Sequence, residues 1–177
     1  MKRSLLLVAI ALLALAVTAR SQDRPAVEIP PENDPHRAEP PPRPPAGEAA
    51  ADAERLFSAI QRDDPELARG FFFPREPFSV LKGIANPDRY WTVLWGHYER
   101  DIHELHATLP SIAEGTFDRL QMSRRGGWVA RREEANALPY WACRHSFVYY
   151  RAGEREHRFE IRTLINWGPR WYVTHLR

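Results

Sequence analysis

The stretch "DIHELH", residues 101 to 106, places His103 and His106 three positions apart with Glu104 between them. The zinc pattern it approaches is H-E-x-x-H, which puts two histidines at i and i+4 on one helix face and uses the glutamate as general base. Here the second histidine arrives one residue early. Glu99, His103 and His106 still form an i, i+4, i+7 column, so one helix offers three donors to a divalent ion. A catalytic zinc also needs an open fourth position and partners that orient its ligands. A solvated helix face rich in Glu, Arg and His accounts for the same residues, so the reading is helix surface, with no metal and no cofactor.

Other chemistry-bearing residues are scattered. Asp101 on the same helix, with His145 or Tyr149 on a later strand, makes a conceivable acid–base set if a pocket lies between them. His145 alternates with Cys143 and Phe147, which predicts a shared face and a hydrogen-bonded core histidine. "NALPYW", residues 136 to 141, sets Pro139, Tyr140 and Trp141 where a loop enters a strand, a rigid aromatic contact site for a partner or ligand. The sequence holds no phosphate-binding glycine loop and no nucleophile elbow.

The elements that must position these residues begin after a leader. "MKRSLLLVAIALLALAVTA", residues 1 to 19, has a basic start, an apolar run and small residues at Val17 and Ala19. That is the layout of a secretory signal peptide, cleaved after Ala19, with an uncleaved membrane anchor as the alternative. The expected location is therefore outside the cytoplasm, periplasmic or secreted, without stable membrane insertion once the leader is removed. Residues 20–47 read as a proline-rich, disordered linker, because nine of the 26 residues from Gln22 to Gly47 are proline and few can build a core. "PPRPP" within it could dock on an aromatic groove.

Residues 48–177 then form one domain. Loss of Lys2 and Arg3 leaves 23 basic against 23 acidic residues, from 25 and 23 in the full chain, so nothing points to nucleic acid. Cys143 is the sole cysteine, which excludes an internal disulfide and leaves a half-buried thiol or a disulfide-linked dimer.

Ala53, Leu56, Phe57 and Ile60 make an amphipathic stripe, and "RDDPEL" ends that helix with Asp64 as cap and Pro65 opening a short second one. Asn86 and Pro87 start a long helix on which Trp91, Leu94, Trp95, Tyr98, Ile102, Leu105 and Leu109 share one sector until Pro110 stops it. Period-two runs follow. A hairpin is expected at Gly126–Gly127, a second at "RAGE" and a turn at Gly168–Pro169. Helices followed by an antiparallel meander make an α+β domain.

With an opening helix that ends in an acidic turn, a long aromatic helix and closing hairpins that finish on "RWYVTHL", residues 48–177 resemble the nuclear transport factor 2-like, or cystatin-like, superfamily. The resemblance implies N-terminal helices packed on a curved antiparallel sheet in a cone, often with an apolar pocket at its open end. It implies no single activity. The expectation is an exported, tethered, non-catalytic module that binds a partner protein or a small apolar ligand. The alternative is a small cofactor-independent isomerase or hydratase that uses a pocket carboxylate or histidine.

Overall fold

The structure, a computed structural model, describes residues 26–37 and 39–177. Residues 1–19, where the signal peptide is expected, lie outside the described residues. No helix among the described residues is long and apolar enough to cross a membrane. The fold is α+β: helices α1 (Ala49–Arg62), α2 (Arg75–Leu81) and α3 (Pro87–Thr108) precede five antiparallel strands of one curved sheet.

In α1, Ala53, Leu56, Phe57 and Ile60 are buried as their spacing requires. The helix ends where Asp63 turns left-handed at φ 56° and returns its N–H to the last turn. Asp64 then accepts from Glu66 N at 3.1 Å, and Pro65 opens a 3-10 segment that carries the chain to Phe71, Phe72 and Phe73, all buried. Asn86 caps α3 by accepting from Arg89 N at 3.0 Å. From that start Leu94, Trp95, Tyr98, Ile102 and Leu105 face the core, each large apolar side chain contributing about 1.5–3 kcal/mol of burial. Trp91 and Leu109, at the ends of the stripe, are partly covered.

The strands are β1 (Thr116–Gln121), β2 (Gly126–Val129), β3 (Tyr140–Ala152), β4 (Arg155–Trp167) and β5 (Arg170–His175), in the order β1-β3-β4-β5 with β2 also on β3. The expected hairpin at Gly126–Gly127 does not form. Both β1 and β2 pair with β3, from Thr116↔Arg151 to Gln121↔Phe147 and then from Gly126↔Cys143 to Val129↔Tyr140. They are two pieces of one interrupted edge, and the glycines mark the point where it rejoins β3. Gly126 sits at φ 106°, and a Cβ there would collide with the carbonyl of Ala142. Ser123 fills the break: its N–H donates to Ser146 Oγ at 3.2 Å, and its carbonyl accepts from the Cys143 thiol at 3.0 Å. Cys143 is thus fully buried, where a half-buried thiol was expected. The other two turns form as expected, with Gly153 at φ 61° between β3 and β4 and Gly168 at φ 58° between β4 and β5.

The proline-rich segment differs from its expected role as a free tether. Between Asn33 and Pro45 it is fastened to the sheet as a strap, at Asn33, Pro41, Arg43, Pro44 and Pro45. Asn33 is fully buried; its Nδ2 donates to Pro139 O at 2.9 Å, and its Oδ1 accepts from Gly168 N at 2.8 Å. Pro41 and Pro44 are buried too. Such a composition cannot make a core of its own, but its prolines arrive with φ already fixed and lose little freedom when a neighbouring surface takes them.

Candidate functional site

A cavity of about 290 Å³ opens between the α2–α3 pair and one end of the sheet. Its apolar floor is Phe78 from α2, Leu94 from α3, Ala142 from β3 and Ile165 from β4, with Tyr90 partly exposed at the rim. Polar groups converge from three directions: Lys82 just past α2, Tyr140 and Arg144 on β3, and Thr174 and His175 at the end of β5. Strand alternation places Tyr140, Ala142 and Arg144 on one face.

Glu134 ties the lip together. Its carboxylate accepts from Arg144 at 2.6 Å and from the Tyr140 hydroxyl at 3.0 Å. That hydroxyl accepts in turn from Asn136 Nδ2 at 3.1 Å, and Asn136 Oδ1 accepts from Lys82 Nζ at 2.6 Å. The loop that carries Glu134 is pinned to the end of α2, where Ala137 N donates to Leu81 O at 2.8 Å and Gly83 N to Ala135 O at 2.9 Å. Arg132, Glu134 and Ala135 hold φ of 74°, 47° and 58°, so left-handed non-glycine backbone is concentrated at the cavity lip. Such conformations cost of order 1–3 kcal/mol each and persist where surrounding contacts hold them, commonly at functional sites.

The electrostatics favour an anion. Burial lowers the Lys82 ammonium from its ordinary value, and Glu134 partly offsets that. Burial raises the Tyr140 phenol well above its ordinary range. His175, whose Nδ1 lies 3.2 Å from Thr174 Oγ1, is lowered by burial and then by Arg162, Lys82, His97 and Arg144. Its charged form is therefore disfavoured in the cavity. Lys82 and Arg144 face one carboxylate, Glu134, so the lip has a surplus positive charge beside an apolar floor.

The residues singled out in the sequence are dispersed. Asp101 accepts from Arg177 N at 3.1 Å, against the C-terminus of the chain, and burial raises its carboxyl above its ordinary value. His145, at φ 61°, is exposed and lies 2.5 Å from Glu160, so it is not the core histidine that alternation predicted. Tyr149 lies under the Arg119 guanidinium, 3.9 Å from its ring centre. His145 lines two open surface grooves, and neither Asp101 nor Tyr149 lines them with it. The structure does not assemble these three into one site.

His103 and His106 turn to the end of α1: His103 Nδ1 lies 2.6 Å from Asp63 Oδ1, and His106 Nδ1 lies 2.9 Å from the Ile60 carbonyl. Donation from His106 gives the Ile60 carbonyl, in the last turn of α1, a second partner beside the Asp63 N–H at 3.3 Å.

"NALPYW" is divided between two opposite faces, and its hydrogen bonds are made within the same chain. Tyr140 enters the cavity, Trp141 turns outward to the strap, and the Pro139 carbonyl receives Asn33. Lys82, Glu134, Arg144 and His175 carried no local signal beyond the fact that Lys82 is the single lysine of residues 48–177. Only the packing of α2, the β2–β3 loop, β3 and the end of β5 brings them together.

No family model matches the chain, and no curated protein matches it. Among solved structures it is similar to a cystatin-like protein from Ruminococcus gnavus at 13% identity and a TM-score of 0.49, a match that covers 71% of this chain and 39% of that one.

Proposed function

We propose that this chain is an exported, non-catalytic binding domain whose cavity takes a small molecule with an apolar body and an acidic group. The observation that carries the proposal is the cavity lip: Lys82 and Arg144 stand beside His175, above a floor of Phe78, Leu94 and Ile165. A carboxylate placed there exchanges water for charge-assisted hydrogen bonds while the rest of the ligand covers the floor. At about 290 Å³ the cavity suits a small ligand, just below the roughly 300–1,000 Å³ common for drug-sized ones. An acidic group is a refinement of the small apolar ligand expected from the sequence. The isomerase or hydratase alternative needs a free carboxylate or histidine in the cavity. Glu134 is held by Arg144 and Tyr140, so among the lining residues His175 alone supports that reading.

Calorimetric titration with small aromatic and aliphatic carboxylates, each beside its amide, tests this. Carboxylates are expected to bind and their amides to bind at least about tenfold more weakly, equivalent to 1.4 kcal/mol. Arg144→Gln or Lys82→Met should remove that preference. Equal binding of acid and amide, or no binding by any carboxylate of the panel, refutes the acidic-ligand assignment. Mass analysis of exported protein should find Arg20 as the first residue, and an intact Met1 in the membrane fraction would favour an anchor.

A further inference from the structure

The outer face of the sheet carries a row of side chains that the cavity does not use. Trp128 on β2 is paired with Trp141 on β3, and their rings meet edge to face at 5.7 Å. The Trp141 backbone N–H donates to Asn166 Oδ1 on β4 at 2.6 Å, and Asn166 is paired with Trp171 on β5. Three tryptophans and an asparagine thus cross four strands in line. Over them lies the chain's own segment Pro41 to Pro45, "PPRPP". Trp141 Nε1 donates to Pro41 O at 3.1 Å; Trp171 Nε1 donates to Pro45 O at 2.9 Å and to Pro44 O at 3.3 Å. Arg43 stands 5.3 Å over the Trp171 ring and donates to Ser123 O at 2.9 Å.

The two periods match. The two donor tryptophans sit on β3 and β5, with β4 between them, which at about 4.8 Å per strand is roughly 9.6 Å. A polyproline II helix repeats every three residues, roughly 9.3 Å. Pro41 and Pro44, three apart, are buried, whereas Pro42 and Pro45 are exposed. Proline offers a carbonyl and no N–H, and the row meets it with indole donors. The extended segment therefore presents an acceptor to a donor at each crossing of an alternate strand, and Arg43 adds a cation on an aromatic face. Aromatic-lined grooves are a recurrent way to read Pro-x-x-Pro segments.

We infer that the Trp128–Trp141–Asn166–Trp171 row is a recognition site for polyproline II segments of the form Pro-x-x-Pro with an arginine between the prolines. Residues 41–45 occupy it in cis. Release of the strap opens the row to such a segment of a partner protein. This site lies on the opposite face from the cavity and stands or falls independently of what the cavity binds.

The test uses the full-length chain and a synthetic peptide that reproduces residues 39–47. In the wild type the tethered segment competes at an effective concentration of millimolar order, so the peptide should leave the Trp141 and Trp171 indole N–H resonances unmoved. In a Pro41→Ala, Pro44→Ala chain both resonances should shift, and the added peptide should return them toward their wild-type positions with saturation. A peptide carrying Arg43→Ala should bind about fivefold more weakly. The inference fails if the peptide gives no saturable change at those two indoles in the variant, or if a scrambled peptide of the same composition acts equally well. Should the double variant not fold, indole hydrogen exchange in the unmodified chain decides. Trp141 and Trp171 should exchange more slowly than Trp128, and exchange of all three at the rate of a solvent-exposed indole overturns the site.

Discussion

Replacement of Asn33 by alanine separates a docked strap from a free tether. The side chain donates to Pro139 O at 2.9 Å and accepts from Gly168 N at 2.8 Å, and no part of Asn33 is exposed. Alanine leaves one buried carbonyl and one buried N–H without these partners. Each such orphan costs about 1–3 kcal/mol, and partial entry of water as the strap loosens brings the expected sum to about 2–4 kcal/mol. For a chain of this size that lowers the melting temperature by roughly 4–16 °C. Urea denaturation of the full-length protein should show a lower midpoint at an unchanged slope, and Glu39→Ala, on an exposed strap position, should stay within about 0.5 kcal/mol of wild type. The docked arrangement predicts a loss for Asn33→Ala that a free tether does not. A change below about 0.5 kcal/mol would refute it and restore the reading of residues 20–47 as a spacer.

Ile102→Ala, at a fully buried position on α3, should cost about 2–5 kcal/mol in the same assay, whereas His103→Gln on the exposed side of that helix should change stability by no more than about 0.5 kcal/mol. Gly126→Ala should destabilise by at least about 2 kcal/mol, because a left-handed φ and a collision with Ala142 O act together, while Gly127→Ala, with open space around it, should be far milder. His175 supplies a pH signature. Its folded value lies below the ordinary imidazole value of about 6.5, so the unfolded chain binds the extra proton first, and this group's contribution is intact above about pH 6.5 and is lost as pH falls through the folded value. NMR titration should therefore place the His175 midpoint below 6.5 in the free protein. A bound carboxylate should raise it, so affinity should strengthen as pH falls from 7 toward 5, and a pH-independent affinity would argue that the anion sits elsewhere.

Much of the element order was legible because it rests on local patterns: the 3.6-residue stripe of α3, the Asn86–Pro87 start, the Pro110 stop and the glycine turns at 153 and 168 all act within a few residues. The same locality explains the error at Gly126–Gly127. Two glycines look alike whether they reverse a chain or let an edge rejoin β3 beside the Ala142 carbonyl, and only the partner strand distinguishes the two. Alternation likewise predicted a buried His145, but a left-handed φ at that residue turned its side chain to solvent beside Glu160.

Composition correctly denied residues 26–47 a core of their own. Whether they float or dock depends on an acceptor surface more than 80 residues away in the chain, where Pro139, Trp141, Gly168 and Trp171 supply the partners. The cavity is the same case in its purest form: Lys82, Glu134, Arg144 and His175 come from four separate places in the chain. By itself the sequence determined the apolar stripes of α1 and α3 and the alternating runs of the strands, since those follow from short-range periodicity, whereas it carried no such stripe for α2. The tertiary structure alone decided which charges meet, because that depends on how α2, the β2–β3 loop and the end of β5 pack together, a long-range arrangement that no local spacing encodes.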